Sequence, residues 1–191
     1  MDNKYKIINW LGTKYPSEFT MHDLSKTLHI PYASFYRTVQ EMGGLLTIKK
    51  VGKSKVLGLN LAHPTLRSHL AVAANEEKEE FLKNQPIIKK IATELNSDDI
   101  VLIFGSYAKG QQTDISDIDF LIMNKKGEKN LSFSKYELLF RKKINPLFIT
   151  KSEFIRMLKD KEENVGKQAL KDHIVLNKPE TFWGLVVDGI Q

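Results

Sequence analysis

Apolar positions in the first sixty residues recur at helical spacing and then switch to a strand-like pattern. Ile7, Ile8 and Leu11 line one side of a helix predicted over residues 4–13, which Tyr15-Pro16 ends. Thr20, with Asp23 three positions on, reads as a helix cap with a capping-box-like partner. The helix it opens carries Met21, Leu24 and Leu28 on one face. Ile30-Pro31 breaks the chain, and Pro31 stands at the entry to a third helix over residues 32–42, striped by Phe35, Val39 and Met42. Gly43-Gly44 closes it. Leu45 to Val51 and Lys55 to Leu61 then read as two strands around a hairpin turn at Gly52-Lys53-Ser54.

Beyond the hairpin, His63-Pro64 opens a helical pattern through Leu66, Leu70 and Val72, and the charged run Glu76 to Glu80 continues it on a solvated face. Pro86 starts another helix through Ile87, Ile91 and Leu95. Residues 63–85 are therefore expected to link a domain over 1–62 to one over 86–191. In the second domain, Ile100 to Phe104 is an unbroken apolar run, consistent with a buried strand. Ile118 to Met123 and Ile144 to Ile149 are further strand-like runs. Phe133, Tyr136, Leu139 and Phe140 lie at helical spacing and are expected in the core. Phe154, Met157 and Leu158, with Trp183, Leu185 and Val186, predict C-terminal helices covering the sheet. The expected fold class is α+β, a helical module followed by a small mixed-sheet domain.

Charge separates the two parts. The chain of 191 residues carries a net charge of +6. Its first 75 residues hold 10 Lys/Arg against 4 Asp/Glu, and the rest hold 19 of each, so all the excess is at the front. Such clustering is the electrostatic footprint of a polyanion binder. Three helices followed by a basic hairpin resemble a winged helix-turn-helix domain over residues 1–62, which implies duplex DNA as partner. Ser34, Tyr36, Arg37 and Gln40 on the third helix would then face a groove. Lys49, Lys50, Lys53 and Lys55 on the hairpin would contact phosphates. The same surface also suits protein docking.

The chain has no cysteine, which excludes disulfides and thiol catalysis. No apolar run approaches the ~20 residues that span a bilayer, and the first ten residues lack the order of a signal peptide. A soluble, cytoplasmic protein is expected. The five histidines are scattered and show no metal-ligand spacing.

Asp117 and Asp119 stand at the start of the second strand of the later domain. Alternation puts them on one face, where two carboxylates repel unless a cation lies between them. Hard oxygen ligands of this kind suit Mg2+, which takes one or two carboxylates plus substrate phosphates. Gly105-Ser106, at the junction of a strand and a helix, offers backbone N–H groups and a hydroxyl to phosphate. Lys109 is a further candidate phosphate contact, while Asp114 reads as a turn residue. These features imply chemistry on a metal-bound nucleoside triphosphate, with pyrophosphate leaving.

Gly105-Ser106, ten residues, then Asp117-Ile118-Asp119 resembles the signature of the DNA polymerase β-like nucleotidyltransferases. The fuller text, Gly105 to Gly110 with Ser116 to Asp119, is similar to the minimal members, among them antitoxins paired with HEPN toxins. The resemblance covers about residues 86–190. It implies Mg2+-dependent transfer of a nucleoside monophosphate, with ATP the expected donor, Asp117 and Asp119 as metal ligands, and Gly105, Ser106 and Lys109 holding the nucleotide. The forty or so residues after Ile149 leave little room for an acceptor-binding domain, so a macromolecular acceptor, such as a HEPN-type toxin, is expected. One departure matters: where such enzymes carry a third carboxylate, this chain has Asn145. Glu137 and Glu153 are the other candidates for that role. The loss keeps open a second reading, a DNA-binding regulator or antitoxin whose nucleotide domain does not catalyse. A third is a nucleic-acid-modifying transferase.

Overall fold

The computed structural model describes residues 1–190. The chain divides into two compact units, residues 1–76 and 77–191. The first contains α1 (Asn3–Thr13), β1 (Phe19–Thr20), α2 (Met21–Thr27), α3 (Tyr32–Glu41), β2 (Leu46–Val51) and β3 (Ser54–Leu59). The helix α4 (Leu66–Lys83) runs through the division, so most of the stretch expected to link the units is regular helix.

Local chemistry explains the first unit's elements. Thr20 Oγ1 accepts the Asp23 N–H at 3.1 Å and donates to the Asp23 carboxylate at 2.7 Å, fixing the start of α2. The chain leaves α3 through Gly43, whose φ of +58° an L side chain rarely adopts. The core joins Ile7, Ile8 and Leu11 of α1 to Met21 and Leu24 of α2, Phe35 and Val39 of α3, and Leu57 of β3, all buried. β2 and β3 form the expected hairpin, with Lys50 opposite Lys55 and Ile48 opposite Leu57. A short strand that the sequence pattern did not reveal, β1, completes the order β1-β3-β2.

The second unit is built on a four-stranded mixed sheet in the order β6-β5-β4-β7. Its strands are β4 (Ile100–Phe104), β5 (Ile118–Asn124), β6 (Ile144–Thr150) and β7 (His173–Asn177). β4 is antiparallel to β5 and β7, whereas β5 and β6 run parallel, joined through α7 (Ser134–Phe140). One sheet face supplies Val101, Ile103, Ile118, Phe120, Ile122 and Ile144 to a core shared with Ile88 and Ile91 of α5 (Pro86–Glu94) and with Tyr136 of α7. Phe133, just before α7, stacks on Phe120 with ring centroids 4.8 Å apart. Toward the other face pack α8 (Lys151–Lys159), α9 (Val165–Lys171) and α10 (Pro179–Ile190), with Phe154, Phe182 and Trp183 buried.

Two expectations change. Of the four residues expected in the core around α7, Leu139 is 63 % exposed, and its neighbour Leu138 is 82 % exposed. The helix is only two turns long and is anchored through Phe133 and Tyr136, so the leucines on its far side face outward. The C-terminal region is not helical throughout either, because β7 lies between α9 and α10 and pairs with β4. β6 forms one border of the sheet and contains Pro146. Among the described residues, no helix is long and apolar enough to cross a membrane.

One ion cluster ties α5 to α7. Glu94 is bound by Lys90, by Lys135 Nζ at 2.9 Å and by the Tyr136 hydroxyl at 2.9 Å. These bonds, Lys90's first, hold its carboxyl down to about 2 from an ordinary 4.5. A folded-state value below the unfolded one stabilises the native chain above pH 4.5, and that contribution fades as pH falls toward 2. Glu94→Gln should therefore lower the melting temperature at pH 7, with the difference from the parent shrinking below pH 4.5 and vanishing near pH 2 in parallel thermal melts.

Candidate active site

Pairing register converges three strands on one spot. Phe104, the last residue of β4, lies opposite Asp119, and Asp119 lies beside Asn145 in the parallel β5–β6 pair. Asp117 precedes Asp119 by two residues and shares its face of the sheet. The pairing is locked at its start by the Ile118 N–H donating to the Lys143 carbonyl at 2.9 Å. Asp117, Asp119 and Asn145 therefore meet at one end of the sheet, all partly buried.

Gly105 closes that end. It follows β4 with φ +72°, and a Cβ built there would collide with Asp119 Oδ2. The backbone angle favours glycine here, and a side chain added at this position would also have to displace the Asp119 carboxylate. Ser106 follows, half-buried, in α6 (Gly105–Ala108). That helix is a single turn, so its dipole is small. Any hold on phosphate must come from individual N–H groups and the Ser106 hydroxyl. Lys109 ends the turn and is exposed.

The two carboxylates are held together by hydrogen-bond donors. Asn145 Nδ2 donates to Asp117 Oδ2 at 3.1 Å and to Asp119 Oδ1 at 3.3 Å, bridging the pair. Lys143 Nζ adds an ion pair to Asp117 Oδ2 at 3.1 Å. The Asn145 amide, then Lys143, keeps the Asp117 carboxyl below the ordinary aspartate range, so it is ionised at neutral pH. Lys143 was not singled out in the sequence. Its place emerges only once parallel pairing sets it beside Asp117, although a lysine just ahead of a strand carrying Asn145 was a usable signal.

The other candidates fall elsewhere. Glu137 accepts the Ile144 N–H at 2.9 Å, and Glu153 completes a capping box with Thr150 at the start of α8, so both are structurally engaged. Asp114 lies in the loop before β5, where its carbonyl accepts from Lys142. Among the described residues, no group of three or more His, Asp or Glu side chains could hold a metal. Two adjacent carboxylates still fit Mg2+, whose remaining positions are commonly filled by water and substrate phosphates. In the first unit, Ser34, Tyr36, Arg37, Gln40, Lys50, Lys53 and Lys55 are all exposed. Lys49 is paired with Glu18 at 2.7 Å.

Gly105→Ala should cost about 1–2 kcal/mol of stability through its left-handed backbone. It should also push Asp119 aside, so nucleotide binding should fall by a larger factor than stability predicts. Calorimetric titration with nucleotide beside a denaturant melt checks both, and unchanged affinity would contradict the crowding at Asp119.

Residues 87–181 match the family model described as Polymerase beta, Nucleotidyltransferase. No curated protein and no solved structure gives a significant match to the chain. The matched span contains the Gly105 turn, both carboxylates and the Asn145 bridge. Strand register, crowded glycine and paired aspartates all lie within the span, residues 87–181, that is similar to the polymerase β-like nucleotidyltransferases.

Proposed function

We propose that the second unit transfers a nucleoside monophosphate, AMP from ATP, to a hydroxyl of a macromolecular acceptor with Mg2+ as cofactor. The observation that carries this reading is the Asp119 carboxylate set against Gly105 and joined to Asp117 by the Asn145 bridge, which puts anionic oxygens beside the turn that can receive phosphate. In this reading Gly105 admits the triphosphate close to the backbone, Ser106 donates a hydroxyl, and Lys109 adds charge from the rim. Asp117 and Asp119 would hold the metal, and Lys143, exposed and flexible, would give up its ion pair. Bound magnesium would supply charge stabilisation as the bond to pyrophosphate breaks. Asn145 is a neutral amide and takes no proton from the acceptor hydroxyl, so that proton passes to solvent and turnover is slow.

The bridging amide also favours a second reading, a regulator or antitoxin in which nucleotide is bound without transfer. Incubation with labelled ATP and Mg2+, with acceptors that include a HEPN-type toxin and RNA, separates the two. Transfer should occur with the parent chain and fall by roughly 100-fold or more in Asp117→Asn and Asp119→Asn. Asn145→Asp should raise turnover, by roughly 100-fold if the new carboxylate acts as a general base. Nucleotide binding without transfer to any acceptor would favour the second reading. Either reading is of a cytoplasmic protein.

The first unit we read as a nucleic-acid-binding module of winged helix-turn-helix type, with duplex DNA its expected partner. Three helices followed by a hairpin, an excess of positive charge and four exposed cations, Arg37, Lys50, Lys53 and Lys55, support this. If those four neutralise phosphates, the logarithm of the DNA association constant should fall with the logarithm of salt at a slope of about −3.6. Fluorescence anisotropy across a salt series measures it, and a flat line would point to protein docking instead.

A further inference from the structure

We infer that the first unit holds a single-stranded nucleic acid by stacking its unpaired bases along a row of rings made by His22, Tyr32 and Tyr36. This rests on the reading of the unit as a nucleic-acid-binding module and narrows it. The core stripe of α3 is Phe35, Val39 and Met42, which leaves Tyr32 and Tyr36, one turn apart, on the flank of the helix. Both are exposed, at 49 % and 37 %. From α2, His22 meets Tyr32 edge-on at 6.1 Å between centroids. Tyr32 and Tyr36 are 6.5 Å apart at 35°. From the hairpin, Lys55 Nζ lies over Tyr36, 5.1 Å from its centroid. The row thus runs from α2 across α3 to a cation on β3, with Lys50 paired opposite Lys55 and Ile48 exposed on the same hairpin face.

Exposed aromatic rings in a row, beside lysines, are the parts that single-strand binders combine: π-faces for bases and cations for the backbone. Tyr32 and Tyr36 are exposed, so each offers a ring face on which a base freed from its neighbours stacks, while His22 meets Tyr32 edge-on and steadies it. A duplex offers no such partner, because its base faces are already stacked on one another. It would engage Tyr36, Arg37 and Gln40 on α3 and leave Tyr32 unused. The row is also absent from any single stretch of sequence, since its members come from α2, α3 and β3.

The test is anisotropy with the full chain and three labelled probes: oligo-dT and oligo-U strands roughly 15 nucleotides long and a duplex of the same length. Tyr32→Ala and Tyr36→Ala should each weaken strand binding about 10-fold, while duplex binding changes less than 2-fold in Tyr32→Ala. Because a phenyl ring keeps its π-face, Tyr36→Phe should retain strand binding. Both tyrosines are exposed, so the variants keep the fold, which circular dichroism verifies. A preference for either the deoxy or the ribo strand upholds the inference and identifies the nucleic acid. Equal binding of strand and duplex, untouched by both alanine variants, overturns it while leaving a DNA-binding module in place. Absence of binding to all three probes overturns the inference and the module together.

Discussion

Two like charges on neighbouring positions of one strand face repel, and this end of the second unit is arranged around containing that repulsion. Asp119 is held in β5 and Asp117 immediately precedes the strand, so the two carboxylates stay close. The neighbouring strand brings a two-proton donor, the Asn145 amide, to bridge them, and Lys143 adds a full charge. Gly105 removes the side chain that would otherwise occupy Asp119's space. Each of these depends on register. A one-residue slip of β6 against β5 would turn Asn145 to the opposite face and leave the carboxylates unbridged.

Containment of this kind has a chemical side effect. Lone pairs satisfied by Asn145 and Lys143 are the ones a divalent cation would use, so metal and internal donors compete for the same oxygens. Lys143 yields easily because it is exposed and its ion pair is screened by water. Asn145, partly buried beside Asp119, has less freedom. The balance between these donors and a cation separates the transferring reading of the domain from the merely binding one.

Much of this was legible in the sequence, for physical reasons. Ile100 to Phe104 is too uniformly apolar to be anything but buried, and the Gly105-Ser106 and Asp117-Ile118-Asp119 pieces sit at the strand ends where such a run places them. Thr20 and Asp23 act within one helical turn, so their cap was readable too. What escaped depends on partners distant in the chain. Lys143 matters only through parallel pairing, and Leu139 looks like core until the short α7 is seen to be held by Phe133 and Tyr136. β7 is five residues between two helices, and its pairing with β4, some seventy residues away, leaves no local trace. The row of rings belongs to the same class, because hairpin geometry sets Lys55 over Tyr36.

Pro146 has a consequence beyond its own strand. β6 is a border of the sheet, and an uncovered border invites further strands to add to it. Proline carries no N–H, and within a ladder it is tolerated where that missing donor faces away from the partner strand. The open side of β6 is thus one donor short next to Asn145. A stray strand, including one from another copy, would meet a gap there, which guards against edge-to-edge aggregation beside the carboxylates.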